Sequence, residues 1–229
     1  MMMHSLSLQN ISLVTHDTYR LTLDKPEGYR WKPGQATDVA LDQEGWREEK
    51  RPFTFVNDPT GDTIEFVIKS YPDHDGVTAR IPSLSAGDAL LLGEPWGAIE
   101  DRGPGVFLAG GTGITPMLGL LRARRRGEGV GRPGLEGCRL IFANKTREDI
   151  ILHDELRDMP GLDTVFVLSD EDAPGHPHGR LDRVLLDAHI TDWQQLFYLC
   201  GPPPMEEAVV EVLRAHGVSD DRIVKEADE

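Results

Sequence analysis

Val106-Phe107-Leu108-Ala109-Gly110-Gly111-Thr112-Gly113-Ile114-Thr115-Pro116-Met117 is the stretch on which the reading of the whole chain turns. Residues 106–109 form a short apolar run that stops at a glycine-rich turn, the pattern of a buried strand. Gly110, Gly111 and Gly113 allow backbone angles and close approaches that a Cβ blocks. Pro116 suits the first position of a following helix, where its missing N–H costs nothing. Free N–H groups at the positive end of that helix make an anion site, and a pyrophosphate is its natural guest. The pattern is Gly-x-Gly-x-x-Pro, without the Gly-Lys-Ser/Thr of a Walker loop. A tight strand-to-helix turn accounts for the same glycines, so the flanking sequence has to decide.

Downstream, strands alternate with helices. Strands are expected at 106–109, 139–143, 164–168, 196–199 and 222–224, and helices near 116–126, 148–158, 180–188 and 204–216. This order predicts a doubly wound parallel sheet with right-handed crossovers. Gly110–Thr115, Asn144-Lys145, Ser169-Asp170 and Cys200-Gly201-Pro202-Pro203 each follow directly on a strand. The carboxyl ends of parallel strands line the ligand crevice of such a sheet. Four polar or glycine-rich turns therefore converge on one cleft, which favours a dinucleotide.

Upstream, residues 5–99 consist of short β-like runs such as 19–23, 36–41, 63–69 and 89–93, separated by Gly, Pro and Asp. That spacing predicts a small antiparallel barrel, with one helical turn over 76–81. Arg51-Pro52-Phe53-Thr54 puts a cation, a ring and a hydroxyl together. Arg51 suits a phosphate and Phe53 a flat ring, although an ordinary strand accounts for the same residues. Ile68-Lys69-Ser70-Tyr71 and Asp75-Gly76-Val77-Thr78 form a second such stretch. Gly76 to Thr78 suits a second phosphate, and a plain helix start with Asp75 or Thr78 as its cap is the other reading. Residues 100–105 break the pattern and divide the chain into a barrel domain, 1–101, and an α/β domain, 102–229.

Composition narrows the classes. The 229 residues are 39% hydrophobic and 28% charged, enough apolar material for a soluble core. No apolar run reaches the length of a membrane span, and the start lacks the order of a signal peptide, so cytoplasmic residence is expected. The net charge of −15 argues against nucleic acid and repels a strongly acidic partner. The basic run Arg122-Ala123-Arg124-Arg125-Arg126 falls at the expected end of a helix, where cations are favourable. Cys138 and Cys200 are the only cysteines, too few for a disulfide framework or a four-cysteine cluster. His176 and His178 have no evident third ligand, and no metal is expected.

Taken together, Arg51-Pro52-Phe53-Thr54, Gly76-Val77-Thr78, Gly111-Thr112-Gly113-Ile114-Thr115-Pro116 and Cys200-Gly201-Pro202-Pro203 resemble, in order and spacing, the ferredoxin–NADP reductase superfamily. The resemblance covers nearly the whole chain, with Pro33-Gly34-Gln35 and Gly93-Glu94-Pro95-Trp96-Gly97 agreeing. It implies an FAD-binding barrel followed by a nicotinamide-nucleotide domain, and an enzyme that moves hydride from NAD(P)H to flavin N5. Arg51, Pro52, Phe53, Thr54, Ile68, Lys69, Gly76, Val77 and Thr78 would hold FAD. Phe53 stands where tyrosine is commoner. Gly111, Thr112, Gly113, Thr115, Pro116, Asn144, Lys145, Asp170, Cys200, Gly201, Pro202 and Met205 would hold the dinucleotide. Thr54, Cys200 and Glu226 would surround the hydride path. Ala227 stands where an aromatic is usual, which would leave the flavin less shielded. NADPH-preferring relatives carry Ser-Arg after the third strand of this domain, whereas this chain has Ser169-Asp170. That leans toward NADH, with Lys145 and Arg147 as possible compensating charge. The expected acceptor is a soluble carrier such as ferredoxin or flavodoxin. A flavin or ferric-chelate reductase, and a non-catalytic regulatory subunit, are the alternatives.

Overall fold

The computed structural model describes residues 3–97, 99–131 and 134–226. The first strands are β1 (His4–Leu13), β2 (Thr18–Asp24), β3 (Ala36–Leu41), β4 (Arg51–Thr54) and β5 (Thr63–Lys69). After one helical turn, α1 (Val77–Arg80), comes β6 (Ala89–Leu92). Their order is β4-β3-β6-β1-β2-β5, every pair antiparallel. A register shift between Leu8 and Asn10 bends β1, which pairs with β6 on one side and β2 on the other. Such an irregularity lets a sheet turn a corner. The outer strands meet beyond β4, where Val56 N–H donates to the Glu65 carbonyl at 3.1 Å. The result is a nearly closed barrel filled by Leu8, Leu21, Trp31, Phe55, Phe66 and Leu92.

The second unit contains β7 (Gly105–Gly110), α2 (Ile114–Arg125), β8 (Cys138–Asn144), α3 (His153–Arg157), β9 (Leu162–Leu168), α4 (Arg183–His189), β10 (Leu196–Cys200), α5 (Pro203–Ala215) and β11 (Ile223–Lys225). The strands form one parallel sheet in the order β11-β10-β7-β8-β9. β7 is buried at every residue, as a central parallel strand covered on both faces must be. Phe107, Leu140, Phe142 and Tyr198 pack with α2 and α3 on one face. Val106, Leu108, Ile141 and Phe197 pack with α4 and α5 on the other. The expected barrel followed by a doubly wound parallel sheet is the architecture observed. No helix among the described residues is long and apolar enough to cross a membrane.

α2 joins the two units. Val56, Val67 and Ile99 from the barrel share its apolar cluster. A Cβ on Gly119 would lie 3.0 Å from the Phe55 carbonyl and 3.2 Å from the Gly34 nitrogen. The helix therefore meets the barrel backbone to backbone.

Several local expectations change. α2 begins at Ile114 after a 3-10 turn over Gly111–Gly113, so Pro116 is its third residue and not its first. The first four N–H groups of a helix lack partners in any case, so proline is tolerated there too. The single helix expected over 148–158 is a 3-10 turn, Arg147–Asp149, followed by α3. The break comes at Leu152, whose φ of 55° is left-handed. Gly76 is the N-cap of α1 and no side chain caps it, so Asp75 has no capping role.

The basic run at the end of α2 is structural wiring. Arg122 grips Glu155 with two bonds of 2.7 Å and donates a third, also 2.7 Å, to the Val56 carbonyl. Arg124 is fully buried and donates to Asp101 Oδ1 at 2.7 Å and to the Val130 carbonyl at 2.8 Å. Asp101 also accepts from Val130 N–H at 2.9 Å, and the Tyr198 hydroxyl donates to the Gly103 carbonyl at 2.6 Å. The residues between the two sheets are thus pinned to β10 and α2. Leaving a buried guanidinium without its carboxylate costs about 3 kcal/mol or more. Asp101→Leu is therefore expected to lower Tm by roughly 6–12 °C, whereas a shift within 2 °C of wild type on thermal unfolding contradicts this reading.

Candidate active site

β7 lies in the middle of its sheet, and the chain leaves it for β8 and β9 on one side and returns to β10 and β11 on the other. The carboxyl ends of β7 and β10 flank this switch point, where a crevice opens in α/β sheets. Steric constraints set its floor. A Cβ on Gly113 would lie 2.2 Å from the Cys200 carbonyl, one on Gly110 2.5 Å from Met205 Sδ, and one on Gly201 2.4 Å from Met205 Cε. Gly113 is therefore fixed by backbone packing of the two turns against each other, whereas Gly110 and Gly201 meet chiefly the flexible end of Met205, which can move aside. Gly111 differs, with a φ of +53° and open space where its Cβ would be. Its backbone conformation, and not a neighbour, is what favours glycine there. The Thr115 hydroxyl closes the turn on the Thr112 carbonyl at 2.9 Å. Glu206 in the first turn of α5 accepts the Gly201 N–H at 2.9 Å.

Side-chain alternation puts Cys200 and Asn144 on the α2 side of the sheet, the side that faces the barrel. Cys200 is held as a neutral thiol. Burial, then the carboxylates of Glu226 and Glu206, push its pKa up to about 12. Glu226 follows Lys225, which pairs with Leu199 beside Cys200, so Cys200 and Glu226 meet at adjacent strand ends. Thr54 lies on β4, the barrel strand that α2 touches. Ala227 lies outside the described residues.

Asn144 is 8% exposed, and neither its amide nitrogen nor its carbonyl oxygen has a partner. A buried amide left unpaired costs about 1–3 kcal/mol. Beyond it, Asp170 N–H donates to the Lys145 carbonyl at 2.9 Å, and the Ser169 hydroxyl to Asp170 Oδ1 at 2.7 Å. Lys145 is exposed. Arg147 is held by Glu171, through its backbone N–H at 2.8 Å and Nε at 2.7 Å.

On the barrel, Arg51 and Gly76 come together, with Arg51 Nη2 3.8 Å from where a Gly76 Cβ would be. Arg51 and Pro52 are exposed, and the half-buried Phe53 ring stands 6.3 Å from Phe66. A recess of about 350 Å³ is lined by Pro72, Asp73, His74, Asp75, Ala79 and Arg80, with Thr78 not among its walls. Ile68 and Val77 turn their side chains into the barrel core, so only their backbone is available to a ligand. The Lys69 ammonium is also committed elsewhere, 2.7 Å from Asp17 and 3.4 Å from Asp149. His176 and His178 face backbone carbonyls of their own loop. Among the described residues, the close set of potential metal ligands is His16, Asp17 and Asp149. The Lys69 ammonium already lies between its two carboxylates.

Glu206, Glu171 and Asp149 shape this crevice without having been singled out in the sequence. An acidic residue in the first turn of a helix that follows a glycine turn was the available signal for Glu206. For Asp149 the signal was the capping-box spacing Thr146-x-x-Asp149, whereas Glu171 pairs with Arg147, 24 residues away, and no local pattern marks it.

A family model described as "Oxidoreductase NAD-binding domain" matches residues 107–211. The chain is 32% identical over 222 residues to the propane 2-monooxygenase reductase component of Rhodococcus jostii, covering 89% of this chain and 57% of that protein. It is 31% identical over 230 residues to NADH-cytochrome b5 reductase 1 of Aspergillus terreus, covering 92% and 76%. Among solved structures, the CS-b5R domains of human Ncb5or, in the NAD+ form, superpose with a TM-score of 0.84 at 27% identity, over 97% of this chain and 68% of that one. The chain belongs to the ferredoxin–NADP reductase superfamily, whose cofactors are FAD and a nicotinamide dinucleotide. It spans 57%, 64% and 61% of three propane 2-monooxygenase reductase components.

Two measurements check the geometry. Gly113→Ala overpacks the contact with Cys200 and is expected to destabilise the protein by about 3 kcal/mol. Gly111→Ala meets only the left-handed penalty of about 1–2 kcal/mol, so equal losses in denaturant unfolding contradict the assignment. Cys138 is buried, Cys200 is partly buried, and both thiols are raised in pKa. At pH 8 the folded protein is therefore expected to react with iodoacetamide roughly tenfold or more slowly than the unfolded chain. Stoichiometric labelling of the folded protein within minutes contradicts that.

Proposed function

We propose that this chain is an FAD-dependent NADH oxidoreductase, with residues 1–101 carrying the flavin and 102–229 the dinucleotide. The observation that carries the reading is the switch-point crevice. A left-handed, unobstructed Gly111 and a neutral Cys200 sit there in interlocked turns, on the face of the sheet turned toward the barrel. The sites fit their cofactors. Gly76 leaves room beside the Arg51 guanidinium, and Asn144 offers an unpaired amide next to the crevice.

When bound, the flavin accepts a hydride at N5 and releases the two electrons singly. Arg51 and the backbone of Ile68, Lys69, Gly76, Val77 and Thr78 hold its phosphates. Pro52 and Phe53 cover its ring, and the Thr54 hydroxyl bonds the ring edge. Gly111, Thr112, Gly113 and Thr115, with Pro116 shaping the turn, hold the pyrophosphate of the dinucleotide. Gly201, Pro202 and Met205 shape the wall beside the nicotinamide, where the Cys200 thiol excludes water. Glu226 and Glu206 would supply negative charge beside the nicotinamide, where positive charge develops as hydride leaves. Asn144, Lys145 and Asp170 hold the adenosine end.

NADH is favoured because Asp170 repels a 2′-phosphate and Arg147 is already committed to Glu171. The proposed acceptor is a soluble one-electron carrier such as ferredoxin or flavodoxin, in the cytoplasm. Given the net charge of −15, its docking face is one that is not strongly acidic. The names of the relatives, reductases of a monooxygenase system and of cytochrome b5, support single-electron delivery to a protein.

Purified protein is expected to be yellow, to release FAD on denaturation, and to be bleached anaerobically by NADH well before NADPH. Arg51→Ala is expected to weaken FAD binding about tenfold or more, as loss of a charge-assisted bond requires. A colourless protein that takes up no flavin on reconstitution overturns the proposal, and bleaching by NADPH alone overturns the choice of donor.

A further inference from the structure

We propose that Asp149 is a positioning residue: it ties the adenosine end of the dinucleotide site to the flavin barrel, so that the barrel sets the geometry with which Lys145 and Asp170 are presented. This rests on the dinucleotide reading of the crevice given above.

Asp149 uses its two carboxylate oxygens for different tasks. Oδ2 accepts the Thr146 N–H at 3.0 Å and the Thr146 hydroxyl at 2.7 Å, closing the turn that follows β8. Oδ1 faces the barrel, 3.4 Å from Lys69 Nζ at the end of β5 and 3.9 Å from His16 Nε2 in the β1–β2 turn. Asp17, also in that turn, completes the group, with Oδ2 2.7 Å from Lys69 Nζ and 3.4 Å from His16 Nε2. The Asp149 side chain is 15% exposed and that of Lys69 24%, so this attraction is only partly screened by water.

The closed turn passes directly into the expected site. Lys145 precedes Thr146, and its carbonyl accepts the Asp170 N–H at 2.9 Å. The chain from Lys69 to Asp170 is therefore an ion pair, a capped turn and one backbone bond, with no flexible link between them. The far side of the segment is anchored as well, since Glu155 is held by Arg122, which also grips the Val56 carbonyl of the barrel. Between the two anchors Leu152 keeps a left-handed backbone with φ 55°. A side-chain-bearing residue stays in that conformation only where its surroundings impose it. The segment 146–155 is a strap fixed at both ends to the barrel and α2.

Asp149→Asn keeps an acceptor for Thr146 and removes the charge facing Lys69, whereas Asp149→Ala removes both. Binding of ADP-ribose and of nicotinamide mononucleotide to the FAD-loaded protein is measured by calorimetry. ADP-ribose is expected to bind about three- to tenfold more weakly to Asp149→Asn, the range of coupling carried by such contacts, and more weakly still to Asp149→Ala. Nicotinamide mononucleotide is expected to bind all three proteins alike. Adding Lys69→Met to Asp149→Asn is expected to change ADP-ribose affinity no further. Unchanged ADP-ribose affinity in Asp149→Asn overturns the proposal, as does equal weakening of both probes. If wild-type protein binds neither probe, the dinucleotide reading itself fails.

Discussion

Everything that faces the crevice depends on how closely α2 lies against the barrel. At Gly119 there is no room for a side chain between the helix and the backbone of Phe55 and Gly34. Arg122 crosses the same seam to the Val56 carbonyl. One helix therefore covers the parallel sheet on one side and, through Val56, Val67 and Ile99, draws the barrel edge into the same apolar cluster. Its start, the turn over Gly111–Gly113, is thereby fixed relative to both sheets. A cleft between two independently folded units would need a hinge to align its walls. Here alignment is built in by packing, and precise placement is what hydride transfer asks of a protein.

The architecture was largely legible in the sequence because it is written in local patterns. The runs 36–41 and 63–69 are β3 and β5 to the residue, and the alternation of strand and helix after residue 105 gives the parallel sheet. The four strand-end turns were legible for the same reason. The role of the glycines was legible only in part. Gly113 is a glycine because of the Cys200 carbonyl, a neighbour that only the folded sheet brings near. The arginines of 122–126 read locally as a favourable helix end, yet Arg122 and Arg124 serve partners far away in the chain. Lys69 fails in the same way, since Asp17 and, 80 residues later, Asp149 share its charge. Periodicity carries which face is apolar, and carries nothing about which charge crosses to which sheet.

That difference matters most for the electrostatics of the site. A chain of net charge −15 has few cations to spare, and many of them are committed to carboxylates: Lys69, Arg122, Arg124, Arg126, Arg139 and Arg147. Pairs of this kind hold loops and lobes in register, and a paired guanidinium offers little net attraction to an approaching anion. The cations beside the crevice are therefore distinguished by availability more than by position. Arg147 lies in the same loop as Lys145, but its guanidinium is held by Glu171, while Lys145 extends into solvent. A phosphate at the ribose of the donor would meet one lysine against Asp170 and Glu171. The same accounting applies at the outer surface. The pairs of Arg139 and Arg147 lie at the surface, so those charges too are matched by neighbouring carboxylates. This fold thus uses much of its positive charge, Arg122 and Arg124 above all, to hold itself together.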